Sequence, residues 1–262
     1  MPTQEKVSFV GSAGAELSGV LHSPDEGAKG SVLLAHCFTC SKDLHTMTRL
    51  ARGLSDAGYA VFRFDFTGLG QSGGEFGDTT VSTNVGDLSR AALTLIQMGL
   101  GPCGMVGHSL GGAAALLAAQ RVKTVESLAV VGAPASPQHV RRLLKGSESE
   151  IEDKGEAIVE IGGREFPISL EFLQDLDEHV ADKAVEELGR PLLIIHAVDD
   201  EVVGVEEGER IFSRAKQPKS FVPLLGADHL LSDPGSAAEA AATLTEWFNR
   251  TLHVGHDRGD HR

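Results

Sequence analysis

One serine in this sequence occupies a position typical of a nucleophile. Residues 107–112 read GHSLGG, after a short apolar run and before a stretch rich in alanine and leucine. This segment matches G-x-S-x-G, in which a sharp strand-to-helix turn holds the serine hydroxyl clear of a sheet. Gly107 and Gly111 lack a Cβ and would let the strand and the helix pass closely. Ser109 is therefore the candidate nucleophile, and the simpler alternative is a serine that only caps the following helix.

A serine hydroxyl needs a general base at neutral pH, and that base needs an acid to orient it. When the serine lies on such a turn, the three groups follow the order serine, acid, histidine. Two later apolar runs are followed by the loops VDDEVVG and GADHLL, which supply both groups in this order. His229 is the candidate base and Asp200 the candidate acid. The adjacent Asp199 remains an open alternative.

Two further motifs point to different chemistry. Residues 68–73 spell G-x-G-x-x-G after a predicted strand, which is the fingerprint of dinucleotide-binding folds, but the pattern continues as GEFGDTT before any helix begins. Cys37 and Cys40 form C-x-x-C between a predicted strand and a predicted helix, as redox pairs do. We expect two partly buried thiols here. A redox-sensing or binding protein that uses these cysteines is the alternative from another functional class.

We expect no metal and no cofactor. Zinc sites need further ligands at characteristic spacings, and the sequence offers no second ligand pair of that kind. His253, His256 and His261 lie in a polar C-terminal stretch that we expect to be solvated.

The elements that must position the candidate residues alternate between strand and helix. Short apolar runs predict strands at residues 31–36, 60–66, 103–107, 127–133, 191–197 and 220–224. Helical periodicity predicts helices at residues 44–57, 81–98, 110–121, 205–215 and 235–252. Residues 7–10 and 17–21 predict an antiparallel hairpin. Alternating strands and helices indicate an α/β fold with a mostly parallel sheet and helices on both faces.

The alternation stops between residues 136 and 189. This stretch is acidic and contains one apparent hairpin, residues 158–168, and two short helical patterns. We interpret it as a small cap, and its apolar residues Leu143, Phe166 and Phe172 are candidate substrate contacts. The predicted organisation is a core of residues 1–135 and 190–252, a cap of residues 136–189, and a polar tail of residues 253–262.

Composition excludes several classes of protein. The chain has 262 residues, with 23 Lys and Arg against 37 Asp and Glu, giving a net charge of −14. Such a charge disfavours binding to nucleic acid and to anionic membranes. The sequence has no apolar run of membrane-spanning length, its N-terminus does not have the pattern of a signal peptide, and its three cysteines are too few for a disulfide framework. We expect a cytoplasmic protein and assign no oligomeric state.

Four segments carry a resemblance to a known family. AHCFTCSKD, RFDFTGLGQSGGEF, GHSLGGAA and KSFVPLLGADHLL together resemble the α/β-hydrolase superfamily over essentially the whole chain. They are similar in particular to small bacterial serine hydrolases that are often fused to an OsmC-like domain. We expect no such domain here, because the resemblance ends with the hydrolase part. The fold implied is the α/β-hydrolase fold with a cap insertion.

The resemblance also assigns roles. The family's acid loop, H-G-x-x-D-x-x-V-P, laid on HAVDDEVVG places its aspartate on Asp200, although Ala197 and Gly204 depart from the pattern. The backbone N–H groups of Phe38 and Leu110 would form the oxyanion hole, with Cys37 in the place of a usual glycine. The implied activity is hydrolysis of small-molecule carboxylic esters with short to medium acyl chains. Thioesterase, amidase and peptidase activities remain alternatives.

Overall fold

Ten strands and eight α-helices are present in the computed structural model, which describes residues 2–101, 103–144, 146–179 and 181–252. The strands are β1 Thr3–Val10, β2 Glu16–Ser23, β3 Ser31–Ala35, β4 Ala60–Phe64, β5 Cys103–His108, β6 Val125–Val131, β7 Glu156–Ile161, β8 Arg164–Ser169, β9 Leu192–Ala197 and β10 Lys219–Leu224. The helices are α1 His45–Asp56, α2 Val81–Gln97, α3 Leu110–Arg121, α4 Glu148–Lys154, α5 Leu170–Glu178, α6 Ala181–Glu186, α7 Val205–Arg214 and α8 Pro234–Thr251. Two 3₁₀ helices cover Phe76–Asp78 and Pro137–Leu144.

Eight of the strands form one sheet in the order β1-β2-β4-β3-β5-β6-β9-β10. β1 pairs with β2 and β2 with β4 in the antiparallel sense, whereas the other neighbours are parallel. The predicted N-terminal hairpin and the predicted parallel sheet are therefore confirmed. The chain passes from β3 to β4 on one side and then returns to β5 on the other. Ligands of open α/β sheets bind at such a reversal, beyond the carboxyl ends of the strands.

Helices cover both faces of this sheet. On one face α1 and α8 pack against the sheet in one apolar cluster, which includes Leu50, Leu54, Leu244 and Phe248. On the other face α2 and α3 pack in a second cluster that continues into the segment between β6 and β9. All five residues of β3 are buried, as expected for a strand with both faces covered.

The segment between β6 and β9 corresponds to the predicted cap. β7 and β8 form a separate two-stranded antiparallel sheet, which confirms the predicted hairpin, and the burial along β7 alternates with the strand period. The short helices are more numerous than the two patterns in the sequence predicted. Helices of six to nine residues depend on tertiary packing more than on their own periodicity, so the sequence marks them weakly.

Two findings bear on the ends and the surroundings of the chain. Within the described residues no helix is both long enough and apolar enough to cross a membrane. The predicted tail at residues 253–262, with His253, His256 and His261, lies outside the described residues.

Candidate active site

Ser109 lies on a strained turn between β5 and α3. Its φ is +55°, in the left-handed region that residues with a side chain rarely adopt. A Cβ on Gly107 would lie 2.4 Å from the carbonyl oxygen of Gly111, and a Cβ on Gly111 would lie 2.2 Å from that of His36. Glycine is therefore required at both positions, as the sequence pattern predicts, and the turn holds Ser109 at the carboxyl end of β5.

The structure brings three of the predicted residues into one hydrogen-bonded chain. Ser109 Oγ lies 3.0 Å from His229 Nε2, and His229 Nδ1 lies 2.8 Å from Asp200 Oδ2. Because Nδ1 faces a carboxylate, it carries the proton, and Nε2 is left to accept a proton from the serine. This arrangement can activate a hydroxyl for attack on a carbonyl.

Asp200, and not Asp199, faces the imidazole. Asp200 is 8% exposed, whereas Asp199 is exposed to solvent. The second carboxylate oxygen of Asp200 accepts hydrogen bonds from the amides of Val202 and Val203, both at 2.9 Å. Burial by itself raises the pKa of Asp200, but the hydrogen bonds from His229 and from the two amides outweigh it and hold the pKa below its usual value. The carboxylate is therefore ionised at neutral pH.

The amides of Phe38 and Leu110 are free to bind a ligand. Neither N–H donates to a protein acceptor within the described part of the chain. Phe38 follows β3 and Leu110 opens α3, and both residues line one narrow crevice. Leu110 is buried and Phe38 is partly buried, and backbone N–H groups in such positions are usually paired, so this pair is available to donate to an oxygen atom of a ligand.

A buried ion pair fixes the loop after β3. The carboxylate of Asp65 accepts from the backbone N–H of Lys42 and from its ammonium, both at 2.6 Å, and from the amide of Gln71 at 2.9 Å. A Cβ on Gly70, whose φ is +58°, would lie 2.3 Å from that carboxylate. Residues 68–73 thus wrap around Asp65, whose carboxylate ties this segment to the loop after β3.

Cys37 and Cys40 form a disulfide, so the expectation of two thiols is wrong. Their Cα atoms are 5.4 Å apart, and the amide of Cys40 donates to the carbonyl of Cys37 at 3.2 Å. This tight turn, in which Thr39 has a φ of +58°, brings the two side chains into bonding distance. The guanidinium of Arg164, on β8, donates to the carbonyl of Thr39 and links the cap to this loop.

Three buried histidines near the site were not singled out in the sequence. His36, His108 and His196 are each at most 1% exposed. His36 directly follows β3, His108 ends β5, and His196 is the last residue but one of β9. His108 Nε2 donates to the carbonyl of His229, and His196 Nε2 donates to the carbonyl of Val203, both at 2.8 Å. Their signal in the sequence is a histidine that terminates an uninterrupted apolar run.

The candidate substrate contacts of the cap lie near the loop after β3. Phe172 stacks on Phe38 with ring centroids 5.5 Å apart, and Phe166 contacts Phe76 at 5.1 Å. Phe166 and Phe172 are buried, and Leu143 is partly buried against the same cluster. Their role as substrate contacts stays a prediction.

Comparisons with known proteins agree with this fold. A model described as the alpha/beta hydrolase family matches residues 32–244. The crystal structure of the esterase domain from a Rhodothermus marinus protein is 40% identical, covers 96% of this chain and 100% of its own, and superposes with a TM-score of 0.79. Mouse mitochondrial palmitoyl-protein thioesterase ABHD10 is 27% identical over 75% of this chain and 68% of its own length.

More distant structures share the fold. Est1E from Butyrivibrio proteoclasticus, solved with ferulic acid, is 20% identical, covers 93% of this chain and 100% of its own, and has a TM-score of 0.79. The strained turn at Ser109, the order of the sheet and the match over residues 32–244 agree with one another. This chain belongs to the alpha/beta hydrolase family.

Proposed function

We propose that this chain is a serine hydrolase that cleaves carboxylic esters of short to medium acyl chains. The observation that carries the proposal is the hydrogen-bonded chain from Ser109 Oγ through His229 to Asp200, with distances of 3.0 Å and 2.8 Å. The fold hosts many chemistries, so the activity is argued from this site and not from the fold.

In the proposed reaction, His229 Nε2 takes the proton from Ser109 as its oxygen attacks the ester carbonyl. The amides of Phe38 and Leu110 donate to the oxyanion of the tetrahedral intermediate, and each such donor is typically worth about 100- to 1,000-fold in turnover. The imidazolium then protonates the leaving alcohol, and an acyl group remains on Ser109. Water, deprotonated by His229, releases the acid and restores the hydroxyl. Asp200 fixes the imidazole tautomer throughout.

A thioesterase activity is the second candidate, because the relative from mouse is named a palmitoyl-protein thioesterase. The same site would attack a thioester, since the tetrahedral intermediate and its oxyanion are alike. The esterase name of the Rhodothermus marinus relative, which is the more similar at 40% identity, favours oxygen esters. Amidase and peptidase activities would require the same imidazole to protonate an amine, which is a poorer leaving group than an alcohol.

The expected partner is a small-molecule ester substrate, and we expect binding neither to nucleic acid nor to a membrane. The net charge of −14 supports this proposal, because it repels phosphate backbones and anionic lipids. The cytoplasmic location stays a prediction. Disulfides of cytoplasmic proteins are usually catalytic or redox-sensing, so the Cys37–Cys40 bond fits that compartment best if it opens and closes.

The test combines turnover with covalent labelling. Purified chain should hydrolyse 4-nitrophenyl esters and react with a fluorophosphonate, whereas Ser109→Ala should lose both. Loss of the nucleophile should lower turnover by several orders of magnitude and leave only the effects of binding and of the oxyanion donors. Ser213→Ala, an exposed serine on α7, is the matched control. Turnover by Ser109→Ala near that of the parent would refute the assignment.

A further inference from the structure

Two cavities of unequal size adjoin the loops that carry the hydrogen-bonded chain: one is lined by Leu110, the residue after Ser109, and the other by His229. The first, the crevice, has a volume of about 10 Å³ and is lined by Phe38 and Leu110 together with the apolar side chains of Leu69 and Phe76. The second, the groove, has a volume of about 590 Å³ and has His229 in its wall. It lies between the loop after β9 and the loop after β10. The two cavities differ in volume by more than tenfold.

The proposed reaction assigns one half of the substrate to each cavity. In this assignment the carbonyl oxygen lies at the amides of Phe38 and Leu110, and because these two residues line the crevice, the acyl carbon next to the carbonyl is placed at its mouth. The leaving oxygen must lie beside His229, because the imidazolium protonates it. The alcohol therefore extends along the groove. This assignment rests on the proposed function.

The crevice has room for a very small acyl group. A volume of about 10 Å³ is close to the space that one water molecule needs. The aromatic rings that line it pack against further rings. The ring centroid of Phe38 lies 5.6 Å from that of Phe76 and 5.5 Å from that of Phe172. The ring centroid of Phe76 lies 5.1 Å from that of Phe166. A longer acyl chain would have to displace rings that are already packed, and overpacking of this kind is unfavourable.

The groove has both apolar surface and negative charge. Val202 and Leu230, two of its lining residues, are 47% and 39% exposed and offer apolar contact to a bulky alcohol. Asp199, Glu201 and Asp228 line the same groove and are exposed. Three carboxylates around one groove repel an anionic leaving group, and the chain's net charge of −14 adds to that repulsion.

We infer that the physiological substrate class is an acetyl ester, or one with an acyl group of similar size, of a bulky alcohol that carries no negative charge. The crevice sets the limit on the acyl group, and the groove accepts the alcohol. Long acyl chains such as palmitoyl and anionic leaving groups such as coenzyme A are discriminated against.

The acyl limit is tested with esters that share one alcohol. We expect kcat/KM of the purified chain to fall about 10- to 100-fold from 4-nitrophenyl acetate to the octanoate, which corresponds to the usual penalty of overpacking. An octanoate rate equal to or above the acetate rate would overturn the inference.

A variant connects this limit to the crevice. Phe76→Ala should widen the crevice and reduce the acetate-to-octanoate ratio at least about tenfold. Phe212→Ala, a partly buried phenylalanine on α7 that packs against Phe221, is the matched control and should keep the parental ratio. A parental ratio in folded Phe76→Ala, with folding checked by circular dichroism, would contradict the role of the crevice.

The groove is tested with acetates that share one acyl group. Naphthyl acetate should be cleaved faster than its sulfonated counterpart at low salt, and 0.5 M NaCl should narrow the difference by screening. Glu201→Gln should reduce the ratio of the two rates at low salt by about two- to fivefold, as expected for removal of one exposed charge. Equal rates for the two acetates at low salt would overturn this half of the inference.

The experiments distinguish failure of the proposed hydrolase activity from failure of the inferred substrate class. If the chain cleaves none of these esters and takes no fluorophosphonate label, the proposed serine hydrolase is wrong, and the inference falls with it. If Ser109-dependent cleavage is present but octanoate or the sulfonated acetate is preferred, only the inference is wrong.

Discussion

His108 and His229 are joined by a hydrogen bond that connects the two loops of the reaction site. Nε2 of His108, the residue before Ser109, donates to the backbone carbonyl of His229 at 2.8 Å, and the two rings lie 5.1 Å apart. His108 is fully buried, and burial lowers its pKa to about 4. It is therefore neutral at physiological pH, with its proton on the nitrogen that faces the carbonyl. The turn at Ser109 thereby holds the backbone of His229.

This contact predicts a positioning role for His108. In His108→Phe the carbonyl of His229 loses its donor, and the imidazole should be held less precisely. We expect kcat to fall about tenfold with a smaller change in KM, because misplacement of a reacting group acts mainly on the chemical step.

The control for this prediction is His108→Gln, whose amide nitrogen can approach the position of Nε2 and should recover most of the lost turnover. Steady-state kinetics of the three proteins provide the measurement. Equal losses in the Phe and Gln variants would show that the imidazole acts only by filling space.

The same histidine predicts how stability depends on pH. Burial lowers the pKa of His108 to about 4, and burial with help from the nearby Arg63 does the same for His22, whereas both would titrate near 6.5 in the unfolded chain. Between these values the unfolded chain binds protons that the folded chain does not. The free energy of unfolding should therefore fall as the pH drops from about 6.5 towards 4.

For His108 the loss is on the order of 3 kcal/mol when the whole interval is crossed. Denaturant titrations of the parent at pH 7 and pH 4.5 provide the measurement. His108→Phe should show a smaller difference between the two pH values, because one of the titrating groups is gone. A parental difference in that variant would place the pH dependence on other groups.

The parts of the fold that depend on short-range pattern were predictable. The turn around Ser109 requires glycine at Gly107 and Gly111 for steric reasons, and the G-x-S-x-G pattern in the sequence indicates this requirement. The choice between Asp199 and Asp200 was not decided by pattern, because adjacent residues on a loop differ only in direction. In the structure the amides of Val202 and Val203 hold one oxygen of Asp200 and leave the other to His229, and these contacts distinguish the two neighbours.

Contacts between distant segments were beyond the sequence. The stacking of Phe172 on Phe38 joins residues more than a hundred positions apart, and the pattern of apolar residues around either one does not indicate it. Within a single loop, the bond between Cys37 and Cys40 depends on the positive φ of Thr39, a conformation that residues with a side chain rarely adopt, so the C-x-x-C spacing alone did not predict it. The contact from His108 to the carbonyl of His229 likewise exists only after β5 and β10 have taken their places in one sheet.

Asp200 and Asp199 are predicted to differ strongly on substitution. Asp200→Asn should lower turnover by about 10⁴-fold, because an amide facing Nδ1 favours the wrong imidazole tautomer. Asp199→Asn, at an exposed neighbour, should change turnover by less than about fivefold. Kinetics of both variants on one acetate ester decide between them. The reverse ranking would move the role to Asp199, and two mild effects would place the acid elsewhere.

The disulfide in the loop after β3 predicts a response to reductant. It brackets Phe38, whose free amide is a proposed oxyanion donor, and it is present while Ser109, His229 and Asp200 are in hydrogen-bonding contact. The bonded form of the loop is therefore compatible with these contacts. Transfer of two electrons and two protons from dithiothreitol would open the bond to two thiols and free the turn. We expect turnover to fall about tenfold, which is less than the loss typical for removal of an oxyanion donor.

Turnover with and without dithiothreitol, followed by reoxidation, measures this effect. Cys40→Ser should have the lower turnover from the start and should not respond to reductant. Thiol counting with an aromatic disulfide reagent reports the state of the bond, because burial raises the pKa of Cys103, the free cysteine, to about 12 and keeps it unreactive in the folded chain. Unchanged turnover in protein that has gained two reactive thiols would leave the disulfide a purely structural crosslink.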